Sequence, residues 1–124
     1  MTTKNILKKC HSQGFGESDT YGAYKIFFGT LVSESRLKII NLLRKKNLSV
    51  GQISEELGLE QTATSHDLAR LKQCGFVSVE TVGKYRNYSL NKETIEPLMK
   101  LIDVHMAANC IHILNNSGGN KWKK

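Results

Sequence analysis

Residues 48–77 read LSVGQISEELGLEQTATSHDLARLKQCGFV, and the apolar spacing within this stretch decides the fold. Ser49 followed three residues later by Gln52 is a capping-box pattern, after which Val50, Ile53 and Leu57 recur at i, i+3 and i+7. This predicts a short helix with one apolar side. Gly58 accepts the left-handed backbone that ends such a helix. The chain then restarts at once: Thr64, Leu68 and Leu71 mark the inner side of a following helix that Gly75 stops. Two helices of about two to four turns, joined by a tight turn at Gly58-Leu59-Glu60, have the proportions of a helix-turn-helix.

With Thr64, Leu68 and Leu71 inward, a rotation of about 100° per residue turns Thr62, Ser65, His66, Ala69 and Gln73 outward. A solvated helix face normally carries Glu and Lys, whereas this one is small, uncharged and hydrogen-bonding. Such a face suits close docking in a DNA major groove, where hydroxyls and amides read base edges. The competing reading is an ordinary exposed surface. Gln61 opens the helix, where unpaired backbone N–H groups favour an anion, and it can reach a base edge or a phosphate.

Beyond residue 75 the period changes to two. Val77 and Val79 alternate to one side, Tyr88 and Leu90 do the same later, and Thr81-Val82-Gly83-Lys84-Tyr85 lies between them. This predicts a β-hairpin with a basic tip, the shape of a wing. Lys84 and Arg86 flank the tip, within reach of phosphates or the minor groove, although alone they read as ordinary turn residues. Tyr85 and Tyr88 add packing or a phosphate contact. A long amphipathic helix is expected over 94–114, with Pro97 in its first turn and Met99, Ile102, Met106, Cys110 and Ile113 on one stripe. Residues 115–124 read as a disordered basic tail.

Upstream, Leu37, Ile40 and Leu43 form the stripe of a helix capped by Ser33, with Arg44, Lys45 and Lys46 at its negative dipole end. Tyr24, Phe27 or Phe28, and Leu31 predict a short apolar helix from residue 21 that needs a partner surface. Residues 1–20 mix a basic start with two glycines and read as a mobile arm or one frayed helix. The element order expected over 21–114 is therefore α-α-α-α-β-β-α: mainly α with a small β-hairpin, in one domain.

Composition agrees. A chain of 124 residues with 40% hydrophobic residues can bury one core. Its 18 Lys and Arg against 11 Asp and Glu leave a formal charge of +7, which favours a polyanionic partner but says nothing of fold. Three cysteines without CxxC spacing indicate neither a disulfide framework nor a zinc knuckle, and a reducing cytoplasm fits them. No stretch approaches the roughly 18 apolar residues of a membrane span. GxSxG, HExxH, Walker and GxGxxG motifs do not occur, so catalysis is not expected.

Taken together, residues 48–77, the upstream VSESRLKIINLL of 32–43 and the downstream VGKYRNYSL of 82–90 resemble the ArsR-type winged helix-turn-helix transcriptional repressors. The likeness covers roughly residues 21–113. It implies a homodimer formed by the helices over 21–31 and 94–114, the helix over 61–74 in the major groove of double-stranded DNA, and a ligand that lowers operator affinity. The DNA contacts implied are Gln61, Thr62, Ser65, His66, Arg70 and Gln73 on the helix and Lys84 and Arg86 on the wing. Two residues depart from the family's pattern. Glu60 stands where a serine cap is frequent, and Asp67 where histidine is; an anionic group near phosphate is unfavourable unless it points elsewhere or pairs, with Arg70 for example.

The resemblance also raises the question of a sensor. Asp103-Val104-His105 matches the start of the family's metal motif on the last helix, but the later ligand positions fall on Asn116 and Gly119, and residues 49–57 hold no cysteine. What remains is Asp103, His105, Cys110 and His112, with Cys10-His11 on the arm and Cys74 after the recognition helix. Across a two-fold axis, nitrogen and sulfur ligands of this kind suit zinc or another thiophilic or borderline ion. Asp103, about 200° around the helix from His105, would serve as an acceptor that orients an imidazole. A structural role for all four is the alternative. Two further readings stay open: a winged-helix module that binds an acidic protein, and a thiol-based redox switch using Cys74 or Cys110.

Overall fold

A computed structural model describes residues 5–116 of the chain. The elements in order are α1 (Ile6–Ser12), α2 (Glu17–Leu31), α3 (Glu34–Leu43), β1 (Leu48–Ser49), α4 (Val50–Leu57), α5 (Gln61–Gln73), β2 (Val77–Val82), β3 (Tyr85–Leu90), α6 (Ile95–Asn109) and α7 (Ile111–Asn116). The mainly helical fold with one antiparallel hairpin is the expected winged helix-turn-helix. Most of the predicted local signals are visible as geometry. Ser33 accepts from the Arg36 amide, Ser49 and Gln52 form the reciprocal capping box, and Gly58 closes α4 in the left-handed conformation at φ 66°.

The core follows from the two periodicities meeting. Ile39, Ile40 and Leu43 of α3, Ile53 of α4 and Leu68 and Leu71 of α5 are all buried, with Phe76, Val77, Tyr88 and Leu90 closing the sheet side. In the hairpin Val77 lies opposite Leu90 and Val79 opposite Tyr88, so each inward pair shares one face of the pleat. The two-residue turn has Gly83 at φ 62° in its first central position, the pattern of a type II′ turn whose twist matches the strands. The two-residue β1 adds Leu48 opposite Tyr88, giving the sheet order β1-β3-β2 and joining the start of α4 to the wing.

Several expectations need correction. Of the two readings for residues 1–20, a mobile arm or one frayed helix, residues 6–12 take the helical one, with Asn5 as N-cap, and α1 lies against α2. On α2 the inward residues are Phe27, which stacks on Phe76 at 5.0 Å between ring centroids, and Leu31; Tyr24 and Phe28 stay exposed. The single helix expected over 94–114 breaks at Cys110, with α7 running to Asn116, so the first two residues of the expected tail are helical. Met99 is buried and Ile102 packs on the core, but the stripe beyond them continues past it, and Met106 is exposed. The rest of the expected tail, 117–124, lies outside the described residues.

Because Leu68 and Phe76 are fully buried, Leu68→Ala should lower the free energy of unfolding by about 2–5 kcal/mol and Phe76→Ala by about 3–5 kcal/mol. Thr62→Ala, on the exposed side of the same helix, should stay within about 0.5 kcal/mol. Urea denaturation followed by circular dichroism measures all three.

Candidate nucleic-acid interface

Helix α5 is a three-sided element. Thr64, Leu68 and Leu71 are buried on one side, and Thr64 satisfies its hydroxyl on the Glu60 carbonyl at 2.9 Å. Gln61, Thr62, Ser65, His66, Ala69 and Gln73 are exposed on the opposite side. The third side carries Asp67, Arg70 and Cys74, spaced i, i+3 and i+7, and faces the junction of α2 and α3.

That third side disposes of the charge problem posed by Asp67. Its carboxylate does not pair with Arg70. It accepts from Ser35 Oγ at 2.6 Å and from Arg36 Nη1 at 3.2 Å, turned toward the start of α3 and away from the outward side. Arg70 instead donates from Nε to Thr30 Oγ1 at 3.3 Å. It is exposed nonetheless, so this bond ties it to α2 without burying it. Glu60 sits at the N-cap of α5 with no side-chain cap bond, which leaves the first-turn N–H groups without the partner a serine would supply.

The wing and the recognition helix converge. Gln61 and Ser65 of α5, Lys84, Tyr85 and Arg86 of the wing, and Gly51 of α4 line one cleft of about 360 Å³. Lysine, arginine and two helix N-termini thus meet in one concavity, where positive partial and formal charge add. Thr62, His66, Arg70 and Gln73 lie outside this cleft, with Thr62, His66 and Gln73 along the outward side of α5. The contribution of Ser49 to Gly51 escaped the sequence reading, although the signal was present: a capping box places a helix N-terminus there, with N–H groups that no carbonyl of that helix can accept.

The metal-type residues are arranged differently from expectation. Asp103 accepts from Arg44 Nη2 at 2.7 Å across to the end of α3, so its partner within the chain is a guanidinium where an imidazole was expected. His105 is exposed and contacts Asn109 Nδ2 at 3.4 Å from Nδ1. The break at Cys110 puts His105 on α6 and His112 on α7. Among the described residues of one chain, no three His, Cys, Asp or Glu side chains come together as a metal site. The donor set therefore does not fit a metal centre within a single subunit.

Comparison with known proteins agrees with this geometry. The family model described as bacterial regulatory protein, arsR family, matches residues 33–79. The chain is similar to the transcriptional activator HlyU of Vibrio cholerae, 30% identical over 77 residues that cover 62% of this chain and 71% of HlyU. The structure of reduced HlyU superposes with a TM-score of 0.60 at 26% identity, over 75% of this chain and 95% of that one. The HTH-type regulator NmtR of Mycobacterium tuberculosis is 36% identical over 69 residues, 56% of this chain and 58% of NmtR. Rv0081 of the same organism, an HTH-type transcriptional regulator, is 34% identical over 74 residues, 59% of this chain and 65% of Rv0081. Its crystal structure gives a TM-score of 0.68 at 28% identity, over 78% of this chain and 94% of that one. The sequence match thus spans less than two thirds of NmtR and of Rv0081.

The turn that sets α4 against α5 rests on Gly58, where a Cβ would meet no atom within 4 Å but the backbone is left-handed. Gly58→Ala should therefore cost about 1–2 kcal/mol from backbone conformation alone, read as a lowered urea midpoint with an unchanged m-value.

Proposed function

The chain belongs to the arsR family of bacterial regulatory proteins, and from that premise we propose that it is a homodimeric, sequence-specific DNA-binding repressor that occludes a promoter until a small signal releases it. The observation that carries the reading is the outward side of α5, where Gln61, Thr62, Ser65, His66 and Gln73 are polar and exposed, bordered by the cations Arg70 and Lys72 and beside the cationic wing. Gln61, Thr62, Ser65, His66 and Gln73 read base edges in the major groove. Lys84, Arg86 and the outer nitrogens of Arg70 contact phosphate. Residues 21–114 form the DNA-binding and dimerisation domain.

Dimerisation is supported by apolar surface that one chain leaves uncovered. On α2, Tyr21, Tyr24, Phe28 and Val32 lie on one stripe, 57%, 40%, 59% and 79% exposed; on α6, Leu101 and Val104 are 69% and 68% exposed. These stripes flank the domain on the helices that do not carry the DNA side, so a symmetric pair joined there leaves both recognition helices free. Such a dimer presents them to successive major-groove faces about 34 Å apart and calls for a roughly palindromic operator. Among the described residues, no helix is long and apolar enough to cross a membrane.

For the releasing signal, the geometry favours thiol chemistry over chelation by Asp103 and His105, because Arg44 already holds Asp103. Thr30 Oγ1 donates to the Ile26 carbonyl at 2.8 Å, so the contact of 3.4 Å between Cys74 Sγ and Thr30 Oγ1 has the thiol as donor. A thiophilic ion or an oxidant at Cys74 removes that donor beside the recognition helix. Zinc or a related ion shared between two subunits through Cys110 and His112 is the second reading.

Titration of fluorescent upstream DNA separates these roles. His66→Ala should lose about 1–3 kcal/mol on the operator and little on random DNA, whereas Lys84→Ala should weaken both alike. If a dimer makes six to ten phosphate contacts, operator affinity should fall by about 10³–10⁵ between 50 and 200 mM salt. Weak binding indifferent to sequence would instead identify a protein-interaction module. Added zinc, cadmium, copper(I), arsenite or peroxide should release wild type, and Cys74→Ser should not respond to the effective agent; a retained response excludes Cys74.

Charge placed on the apolar stripes tests the dimer. Tyr24→Glu with Leu101→Glu should convert a dimer to monomer in analytical ultracentrifugation. An unchanged sedimentation coefficient would refute the proposed interface.

A further inference from the structure

One residue of α2, Thr30, meets the Asp67-Arg70-Cys74 side of α5 twice directly and once through Arg36 of α3. Thr30 is fully buried in the last turn of α2, where its carbonyl has no partner within the helix. Arg36 Nε supplies one at 2.7 Å, while its Nη1 reaches Asp67 at 3.2 Å. The Thr30 hydroxyl accepts from Arg70 Nε and contacts Cys74 Sγ. Ser35 adds a second bond to Asp67, and Ser33 steadies Ser35 at 3.0 Å while capping α3. The Arg36 and Asp67 side chains are only 21% and 16% exposed, so this is a largely desolvated network rather than a surface pair.

Apolar packing of Leu68 and Leu71 is strong but has little directional preference. It fixes that α5 lies on the core and leaves its rotation about that contact weakly determined. Directional bonds at Asp67, Arg70 and Cys74, spread over two turns, remove that freedom. Arg70 and Cys74 tie α5 directly to Thr30 of α2, whose other side carries the uncovered aromatic stripe, and Asp67 reaches the same residue through Arg36 of α3, which donates to the Thr30 carbonyl.

We propose that Asp67 and Arg36 are positioning residues that set the angle of the recognition helix relative to the dimerisation helix, and so the half-site spacing that the dimer accepts. The proposal rests on the dimeric DNA-binding reading above. For an arm of about 17 Å from the α2 contact, half of the 34 Å between successive groove faces, a tilt of about 10° that carries the recognition helix toward or away from the two-fold axis moves it by roughly 3 Å. That is close to the rise of one base pair, about 3.4 Å. Specificity for spacing is then held by residues that touch no DNA.

The test is fluorescence polarisation on a family of operators whose half-sites are moved apart or together by one and two base pairs. Wild type should show a sharp optimum. Asp67→Asn, which keeps a bond to Ser35 but loses the charge pair, and Arg36→Lys, which cannot bridge Thr30 and Asp67 with one planar group, should each lose about tenfold at the optimum. They should lose much less on displaced spacings, flattening the profile, with affinity for random DNA unchanged. Ile40→Val is the control, since it lowers the melting temperature through the core without touching the network.

A wild-type spacing profile in folded Asp67→Asn and Arg36→Lys overturns the proposal. So does equal flattening by Ile40→Val, which would make the profile a measure of stability alone. Wild type that binds no operator preferentially refutes the DNA-binding reading itself; wild type that binds operator tightly but is indifferent to spacing refutes only the positioning role.

Discussion

Burial of Leu68 and Leu71 against α3 and the sheet is the constraint on which the rest depends. Thirteen residues of helix carry few apolar side chains, and these two must leave water together. Once they do, the helical period assigns every other position: Ser65, Ala69 and Gln73 go outward, and Asp67, Arg70 and Cys74 go toward the junction of α2 and α3. A polar docking side is thus a consequence of where the aliphatic side is anchored, and the same burial brings the N-terminus of α5 beside the wing. Gly58 and Gly83 serve this arrangement from either side, one by turning α4 into α5 and the other by folding Lys84 back to the cleft.

Much of this was legible because it is local. The cap at Ser49, the turn at Gly58, the inner stripe of α5 and the alternation in the hairpin each depend on residues within a few positions of one another. The outward side of α5 was legible for the same reason, and every residue expected on it is exposed. What was not legible depends on distant partners. Asp67 could be seen to need a cation, yet choosing Arg36 over Arg70 requires knowing that the start of α3 lies beside α5. Asp103 looked like the first residue of a ligand motif, and only the crossing of α3 and α6 shows that Arg44 takes it. Tyr24 and Phe28 share a helix with Phe27, and periodicity alone does not say which aromatic face meets Phe76.

Helix α6 illustrates a further limit of pattern reading. Apolar residues occur almost all round it: Ile95, Met99 and Ile102 on the core side, Leu101 and Val104 on the other. A helix of that kind belongs in the middle of something, and one chain covers only half of it. The aromatic side of α2 has the same character, and uncovered apolar surface of this extent is what the proposed dimer would bury. The break at Cys110 lies about two turns beyond Ile102, the last residue of α6 that packs on the core.

Under the proposed function, the two sets of side chains on α5 answer different questions about DNA. Hydroxyls and amides on the outward side distinguish one base pair from another, because each bond is made or lost locally. They cannot determine how far apart two half-sites lie, which is a property of the rigid connection between subunits. In the proposed dimer that connection passes from α5 to α2, and the bonds around Thr30, two direct and one through Arg36 of α3, are its directional part. The departure at position 67 gains a physical reason in this light: a carboxylate there is unfavourable for phosphate but well suited to a guanidinium behind the helix. Since it is turned away from the groove by Ser35 and Arg36, its negative charge costs the docking side little, and one anionic substitution in a basic protein becomes part of the frame that holds the reading head.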